Sequence, residues 1–287
     1  MAAGFLCLVG QTRFHGQNVM KHIGNDSFSG LPKSEKITHV ASLGMSCQTA
    51  HQLSRYVEPR DGLEHVSGPM DWMNVPAAEG ADWMLDGMPS FEPDDISIER
   101  GHPYWADKNV WFWHWFRDGA KAANDPKTRA VKLQNTMERE LSKFSHLAEK
   151  FRALDPDKTL FVFSNSQANL LGDVFAEHES DRFFLDEERI SALHRGLETV
   201  FGQACKIQFV TRIDRADPAL IYRQDVSFIQ PETSGWKGSD LAWSLLLDQR
   251  RTQIETSMKS EEQIAQRNHQ EFVRVSEITL DAQSSSF

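Results

Sequence analysis

Short apolar runs alternate along this chain with longer segments whose apolar residues recur every three or four positions. The strand-like runs are THVASLG (38–44), TLFVFS (159–164), KIQFVTR (206–212) and DVSFIQ (225–230). The helix-like segments lie at 50–57, 77–85, 133–151, 190–201 and 240–250. Strands that alternate with helices predict an α/β fold, a three-layer sandwich with a mostly parallel central sheet. In such sheets, binding sites form at the carboxyl ends of the strands.

The flanking segments set the predicted boundaries of this domain. Residues 1–36 are rich in Gly, Asn and Ser and predict a weakly structured lead-in with one short strand at 5–9. The α/β domain spans residues 37–250. Residues 251–287 are a polar C-terminal extension, in which we expect one helix and a final alternating strand, EFVRVSEITL.

Charge and motif content narrow the expected partners. The 287 residues carry a formal net charge of -10 and no evident basic patch, so neither nucleic acid nor an anionic membrane is expected. The apolar stretch at 4–10 is too short for a membrane span and lacks a basic n-region, which predicts a cytoplasmic protein. Because no metal or cofactor motif is present, we expect neither group. The expected partner is a small-molecule, peptide or glycan substrate, and the oligomeric state stays open.

Cys47 lies where the first clear strand turns into a helix, in SLGMSC (42–47). Gly44 permits a tight turn, and Ser46 has the side chain of an N-cap. A thiol in the first turn of a helix has its anion stabilised by unpaired backbone N–H groups, which also can stabilise an oxyanion. A buried, unreactive thiol remains the alternative, since free cysteine is often only a small apolar side chain.

Three histidines are candidate bases for this thiol. His51 lies four residues after Cys47 and so on the same helix face, although a surface role explains it equally well. His102 belongs to the segment 87–108, which its Pro and Gly content predicts as loop. His114 lies in NVWFWHWF (109–116), predicted as a strand, where a histidine among aromatic side chains is usually a core residue.

Three polar side chains are candidates for orienting or binding roles. Asp71 precedes the large aromatic Trp72 in SGPMDW (67–72), where it either caps a turn or orients a histidine. Asn165 directly follows the run TLFVFS and either orients an imidazole or stabilises a loop. Asp240, at the start of the last helix, is a weaker carboxylate candidate.

Taken together, these blocks resemble a known family. SLGMSC, then SGPMDW about twenty residues later, HWF and LFVFS are similar to a bacterial family called papain-like cysteine peptidases, which began as a domain of unknown function. Its peptidase label is an inference from a Cys/His arrangement. The similarity covers about residues 38–250, and its first two blocks are the more specific ones.

The resemblance implies roles for individual residues. The family's cysteine falls on Cys47, the acid of its FDW block on Asp71, and its histidine on His114. Trp115 stands where the family has an acid, so that acid's role is left to Asp118 or to no residue. His51 matches no fixed histidine of the family.

Two classes of function follow. The first is a cysteine hydrolase or acyl-transfer enzyme acting on an amide, ester or thioester, with catalytic Cys47, His114 and Asp71. Its substrate site would include Gly44, Ser46, Trp72 and Asn165, on a Rossmann-like or SGNH-like topology. The second is a non-catalytic carbohydrate-binding or interaction module that uses some of the eight tryptophans. Tryptophans near predicted strand or loop ends are Trp105, Trp111, Trp113, Trp115 and Trp236.

Overall fold

The computed structural model describes residues 36–116, 125–170, 181–230 and 236–284. Within these ranges the strands are β1 (His39–Ser42), β2 (Glu64–Val66), β3 (Ile96–Glu99), β4 (His102–Trp105), β5 (Val110–Trp111), β6 (Thr159–Ser164), β7 (Lys206–Thr211) and β8 (Val226–Phe228). The α-helices are α1 (Cys47–Val57), α2 (Ala77–Leu85), α3 (Pro126–Arg152), α4 (Glu187–Phe201) and α5 (Asp240–Ser284). The predicted lead-in lies outside the described residues, apart from Lys36, and so do its strand at 5–9 and Asp118.

Five strands form the central sheet in the order β2-β1-β6-β7-β8, and every neighbouring pair is parallel. In β1, Val40 pairs with Leu160 and Ala41 with Phe161 of β6. After β1 the chain passes first to β2 on one side and later to β6 on the other. The order therefore reverses between β1 and β6, and a crevice forms at their carboxyl ends.

Apolar side chains of the central strands point alternately to two faces, and each face has its own core. One core joins sheet residues to α1 and α5, and its members include Val40, Leu160, Val162, Val210, Leu53, Tyr56, Trp243 and Leu247. The other joins the opposite face to α2, α3 and α4, with members including Ala41, Phe161, Phe163, Phe209, Trp83, Phe151 and Leu193. The predicted α/β fold with a mostly parallel sheet covered on both faces is thus confirmed.

The sequence prediction was wrong in the aromatic region. The segment 87–108 contains β3 and β4, an antiparallel hairpin whose two turn residues, Arg100 and Gly101, both have positive φ. Two such residues are what a tight hairpin turn needs. The predicted strand at 109–116 is reduced to β5, because Phe112 and Phe116 turn into a cluster of aromatic rings with Phe91. The edge strand β2 was not predicted at all.

The C-terminal segment also differs from expectation. Instead of a helix ending near residue 250 and a final strand, α5 runs from Asp240 to Ser284, and EFVRVSEITL is helical. No Gly or Pro lies between residues 240 and 284, so nothing in the sequence interrupts a helix once it has started. None of the described helices has an apolar stretch long enough to cross a bilayer.

Helices α2 and α4 approach each other at Gly196, and this contact yields a stability prediction. A Cβ at Gly196 would lie 3.0 Å from Met84 Cβ and 3.1 Å from the Ala81 carbonyl oxygen, neither of which can move without shifting α2. We expect Gly196→Ala to lower the free energy of unfolding in urea by about 1–3 kcal/mol. The matched control is Gly80→Ala, whose Cβ would meet only side-chain methyl groups, Val75 Cγ1 at 3.3 Å and Leu193 Cδ2 at 3.9 Å. Gly80→Ala should stay within about 1 kcal/mol of wild type, and equal losses in both variants would contradict the argument.

Candidate functional site

A strained turn joins β1 to α1 and determines where Cys47 lies. Gly44 and Met45 have φ values of 86° and 67°, and the Thr49 hydroxyl donates to the Gly44 carbonyl at 3.2 Å. A Cβ at Gly44 would lie 3.1 Å from Val75 Cβ, so glycine is required there for both conformation and space. A non-glycine residue in the left-handed region is uncommon and costs free energy, as at Met45. The turn makes Cys47 the first residue of α1.

The cleft beside Cys47 lies where the strand order of the sheet reverses. Its free volume is about 10 Å³, which is room for one water-sized group. Its walls come from the ends of β1 and β6 and from two intervening loops: Ser46, Cys47, Met73, Asn74, Trp113, Gln167, Asn169 and Leu170. Cys47 is 4% exposed, and all eight lining residues are uncharged. The cleft therefore suits a neutral ligand group better than an ion.

Two buried polar atoms that line this cleft lack a hydrogen-bond partner within the described part of the chain. Ser46 occupies the N-cap position of α1, as predicted, but its side chain makes no capping bond, and its Oγ is unpartnered. Asn74 Oδ1 is also unpartnered. The two residues are only 3% and 5% exposed, and buried polar groups normally have partners. Such atoms point to a ligand that supplies the missing bonds.

Gln48, directly after Cys47, is the centre of a buried polar network that sequence reasoning missed. Its backbone N–H donates to Gln167 Oε1 at 3.2 Å. Its side chain accepts from the Ser166 hydroxyl at 2.6 Å and donates to the Trp236 carbonyl at 3.0 Å. The polar run SNSQ (164–167), which begins with the last residue of β6, was the available signal for this network. The network connects the start of α1 to the loops that follow β6 and precede α5.

Hydrogen bonds between backbones bring the HWF block to the cleft. Asn74 and Trp111 exchange two of them, at 2.8 and 3.2 Å. The N–H of His114 then donates to the carbonyl of Trp72, which itself has a φ of 64°. The His114 ring packs edge-on against Trp72 at 5.5 Å and lies 6.5 Å from the Trp236 ring. His114 is half-buried and follows Trp113, which lines the cleft.

The other two candidate histidines occupy different positions. The His51 ring lies 5.1 Å from the Trp236 ring, and burial is the main reason that its pKa is lowered. His102 stacks on Trp113 at 4.3 Å, with the ring planes 9° apart. Both His51 and His114 therefore contact the Trp236 ring. The backbone carbonyl of Trp236 accepts the hydrogen bond from the Gln48 side chain.

Asp71 lies in a buried pair with a histidine that sequence reasoning did not consider. Its Oδ2 accepts the Gly68 N–H at 3.4 Å and lies 3.6 Å from His65 Nε2. Its other oxygen has no hydrogen-bond partner among the described residues. Burial raises the pKa of Asp71 to about 7 and lowers that of His65 to about 4. The Asp71 carboxylate thus faces His65 and makes no hydrogen bond to His114.

The remaining candidates have structural contacts. The Asn165 amide donates to the carbonyls of Phe183 and Arg215 at 2.7 and 2.9 Å, which ties loops together below the cleft. Asp240 accepts from the side chains of Gln52 and Arg55. Neither Asn165 nor Asp240 is among the residues that line the cleft.

The tryptophans divide into two groups. Trp105, Trp111 and Trp115 are at most 2% exposed and belong to the core, whereas Trp72, Trp113 and Trp236 are half-buried. The Trp115 indole donates to the Asp71 backbone carbonyl at 3.1 Å, which fixes the MDW block against the HWF block.

Comparison with protein-family models, with curated proteins and with solved structures finds no match to this chain. Among the described residues, no group of three or more His, Cys, Asp or Glu side chains is arranged to hold a metal ion.

Proposed function

We propose that this chain is a cysteine-dependent hydrolase or acyl-transfer enzyme with Cys47 as its nucleophile, acting on an amide, ester or thioester. One observation carries the proposal: Cys47 begins α1 at the point of strand-order reversal, in a cleft that contains two unpartnered polar atoms. Open α/β sheets bind ligands in this place. The parallel sheet with helices on both faces supports the Rossmann-like or SGNH-like topology. The assignment of Cys47 as nucleophile and His114 as base rests on the resemblance to the papain-like cysteine peptidase family.

The start of α1 supplies the chemistry that a thiol nucleophile needs. The positive end of the helix dipole favours the Cys47 thiolate over the thiol. The thiolate attacks the acyl carbon, and the carbonyl oxygen becomes an oxyanion. In enzymes with this strand-turn-helix geometry, the N–H after the nucleophile stabilises that oxyanion, and here it belongs to Gln48. The leaving group departs from the resulting thioester, and water or another acceptor then attacks it.

His114 acts as the general base and acid in this scheme, and Asp71 as a positioning residue. His114 would take the thiol proton and return it to the leaving group. Asp71 acts through its backbone. Its carbonyl accepts a hydrogen bond from the Trp115 indole N–H, and this bond fixes the segment that carries His114. A cytoplasmic location belongs to the same proposal, because a reducing compartment keeps a free thiol from oxidation.

Selective alkylation tests the proposal. The purified protein would be screened for hydrolysis of ester, thioester and amide substrates and then titrated with iodoacetamide. We expect activity to fall in proportion to modification of Cys47, measured by peptide mass spectrometry. Cys205 should stay unmodified, because burial raises its thiol pKa to about 11. Full activity after complete alkylation of Cys47 would exclude Cys47 as the nucleophile.

Substitution of the two histidines that contact Trp236 tests the choice of base. We expect His114→Ala to lower kcat/KM by about 10²–10⁴-fold, the usual contribution of general acid-base catalysis. His51→Ala is the matched control and should stay within about threefold of wild type, because the proposal gives His51 no proton transfer. The reverse ranking would move the role of base to His51.

A non-catalytic carbohydrate-binding module is the second candidate function. The half-buried rings of Trp72, Trp113 and Trp236 favour it, since aromatic faces stack on sugar rings. A titration of tryptophan fluorescence with bacterial oligosaccharides distinguishes the two functions. Saturable binding that Cys47→Ala leaves unchanged, in a protein without hydrolytic activity, would favour the binding module.

A further inference from the structure

The position that the proposed mechanism assigns to the oxyanion is occupied by a carboxamide of the chain itself. Gln167 Oε1 accepts the Gln48 N–H at 3.2 Å, and Gln167 Nε2 donates to Asn169 Oδ1 at 2.8 Å. Both ends of one primary carboxamide group are thus recognised, its oxygen by a backbone donor and its NH₂ group by a side-chain acceptor. All these residues except Gln48 line the cleft beside Cys47.

The rest of the cleft fits the same chemistry. None of the described residues that line it is charged, so among them a carboxylate or phosphate would meet no counter-charge, whereas a carboxamide is neutral. Ser46 Oγ and Asn74 Oδ1 lack partners in the described residues and are buried. A hydroxyl and an amide oxygen can accept further N–H groups, and Asn74 Oδ1 can only accept. A ligand with additional hydrogen-bond donors would satisfy both atoms.

We propose that the substrate of this site is a primary carboxamide and that the Gln167 side chain is an internal stand-in for it. The inference rests on the proposed function, because it takes Cys47 as the nucleophile. Arg215 donates to the backbone carbonyl of Gln167, so the loop stays fixed and only the side chain rotates away. The substrate carboxamide then takes the same two hydrogen bonds, to Gln48 N–H and Asn169 Oδ1.

The reaction is a deamidation with a covalent intermediate. The Cys47 thiolate attacks the carboxamide carbon, and the C–N bond breaks as nitrogen takes a proton from His114 and leaves as ammonia. Water attacks the thioester, gives a proton to His114, and releases a carboxylic acid and the thiolate. The balance is one carboxamide and one water consumed, with one acid and one ammonia formed.

A pair of alkylating agents tests recognition of the carboxamide, because iodoacetamide carries this group and iodoacetate carries its charged counterpart. Modification of Cys47 is followed by mass spectrometry, with glutathione as the reference thiol. The ratio of the alkylation rates with iodoacetamide and iodoacetate should be about tenfold higher for Cys47 than for glutathione. The reason is that only the NH₂ group of iodoacetamide can donate a hydrogen bond to Asn169 Oδ1. Asn169→Ala should return the preference towards that of glutathione. An equal preference in Cys47 and glutathione would overturn the inference.

Variants of Gln167 test the stand-in. Gln167→Ala and Gln167→Met both remove the carboxamide. Met also keeps the length of the side chain, so it serves as a second variant if Gln167→Ala does not fold. We expect each variant to raise the rate of Cys47 alkylation by iodoacetamide about tenfold. The rate of ammonia release from propionamide and from L-glutamine should also rise about tenfold. The matched control is Gln203→Ala, an exposed glutamine outside the cleft, which should change neither rate. Unchanged rates in folded Gln167 variants would overturn the stand-in.

The outcomes separate this inference from the proposed function. Cys47-dependent hydrolysis of esters or thioesters without ammonia release from either amide would overturn the inference and leave the proposed function intact. Absence of any Cys47-dependent hydrolysis, together with a Cys47 that neither agent modifies, would overturn both.

Discussion

Cys47→Ala is expected to lower the rate of hydrolysis by about 10⁴-fold or more, because loss of the nucleophile removes the covalent route altogether. Residual catalysis would come from the Gln48 N–H and from binding in the cleft. The measurement is kcat/KM for the best substrate of the ester, thioester and amide panel, with circular dichroism as a check on folding. Cys47 contributes little apolar surface, so its truncation to alanine should leave the fold intact.

Cys205→Ala is the matched control for this substitution. Cys205 is also a buried thiol, but it lies outside the cleft, and its S–H donates to the Gln203 carbonyl at 3.5 Å. Its raised pKa keeps it protonated near neutral pH. We expect Cys205→Ala to keep the wild-type kcat/KM. If Cys47→Ala retained wild-type activity as well, the nucleophile hypothesis would be wrong.

The buried pair of Asp71 and His65 should make stability depend on pH in two opposite ways. Asp71 has a pKa of 3.8 in the unfolded chain and about 7 when folded, so the folded state binds more protons between these values. Its contribution to stability therefore falls as pH rises from about 4 to about 7. For His65 the pKa is 6.5 unfolded and about 4 folded, so the unfolded state binds more protons. Its contribution rises as pH rises from about 4 to about 6.5.

Single substitutions should separate these two contributions. As pH rises from 4 to 7, the stability of Asp71→Asn should increase by roughly 3–4 kcal/mol relative to wild type. The reason is that the variant lacks the Asp71 contribution, which falls over this range. As pH rises from 4 to 6.5, the stability of His65→Gln should decrease by roughly 3 kcal/mol relative to wild type. The reason is that the variant lacks the His65 contribution, which rises over this range. In wild type the two slopes offset each other over that window. Urea unfolding at half-unit steps of pH measures all three curves.

The hydrogen bonds around His65 support the uncharged pair at intermediate pH. The Ser54 hydroxyl donates its proton to the Ala50 carbonyl at 3.0 Å. In its other contact, at 2.8 Å from His65 Nδ1, it therefore accepts the Nδ1–H of His65. His65 Nε2 then carries a lone pair that faces the protonated Asp71 carboxyl. Parallel pH curves for wild type and Asp71→Asn would show that Asp71 has its ordinary pKa in the folded chain.

Prediction from the sequence succeeded where the pattern is local and failed where partners are distant in the chain. The strand TLFVFS became β6, and the helix predicted at 77–85 has those bounds in the structure. By contrast, the sequence of the HWF block favours a strand, and only packing of Phe112 and Phe116 against Phe91 explains why it bends. The same holds for Asp71, whose neighbour His65 belongs to β2, a strand of three residues with little periodicity.

For the candidate site, the sequence by itself determined that Cys47 follows a strand and begins a helix, since Gly44 and the flanking apolar spacing specify that turn. It also singled out the blocks that carry Asp71 and His114. Only the tertiary structure decided what surrounds the thiol. Gln167 and Asn169 lie more than a hundred residues away in the chain and reach Cys47 because β6 pairs with β1. Hydrogen bonds such as that from Gln48 to Gln167 depend on this pairing, which no local pattern of side chains encodes.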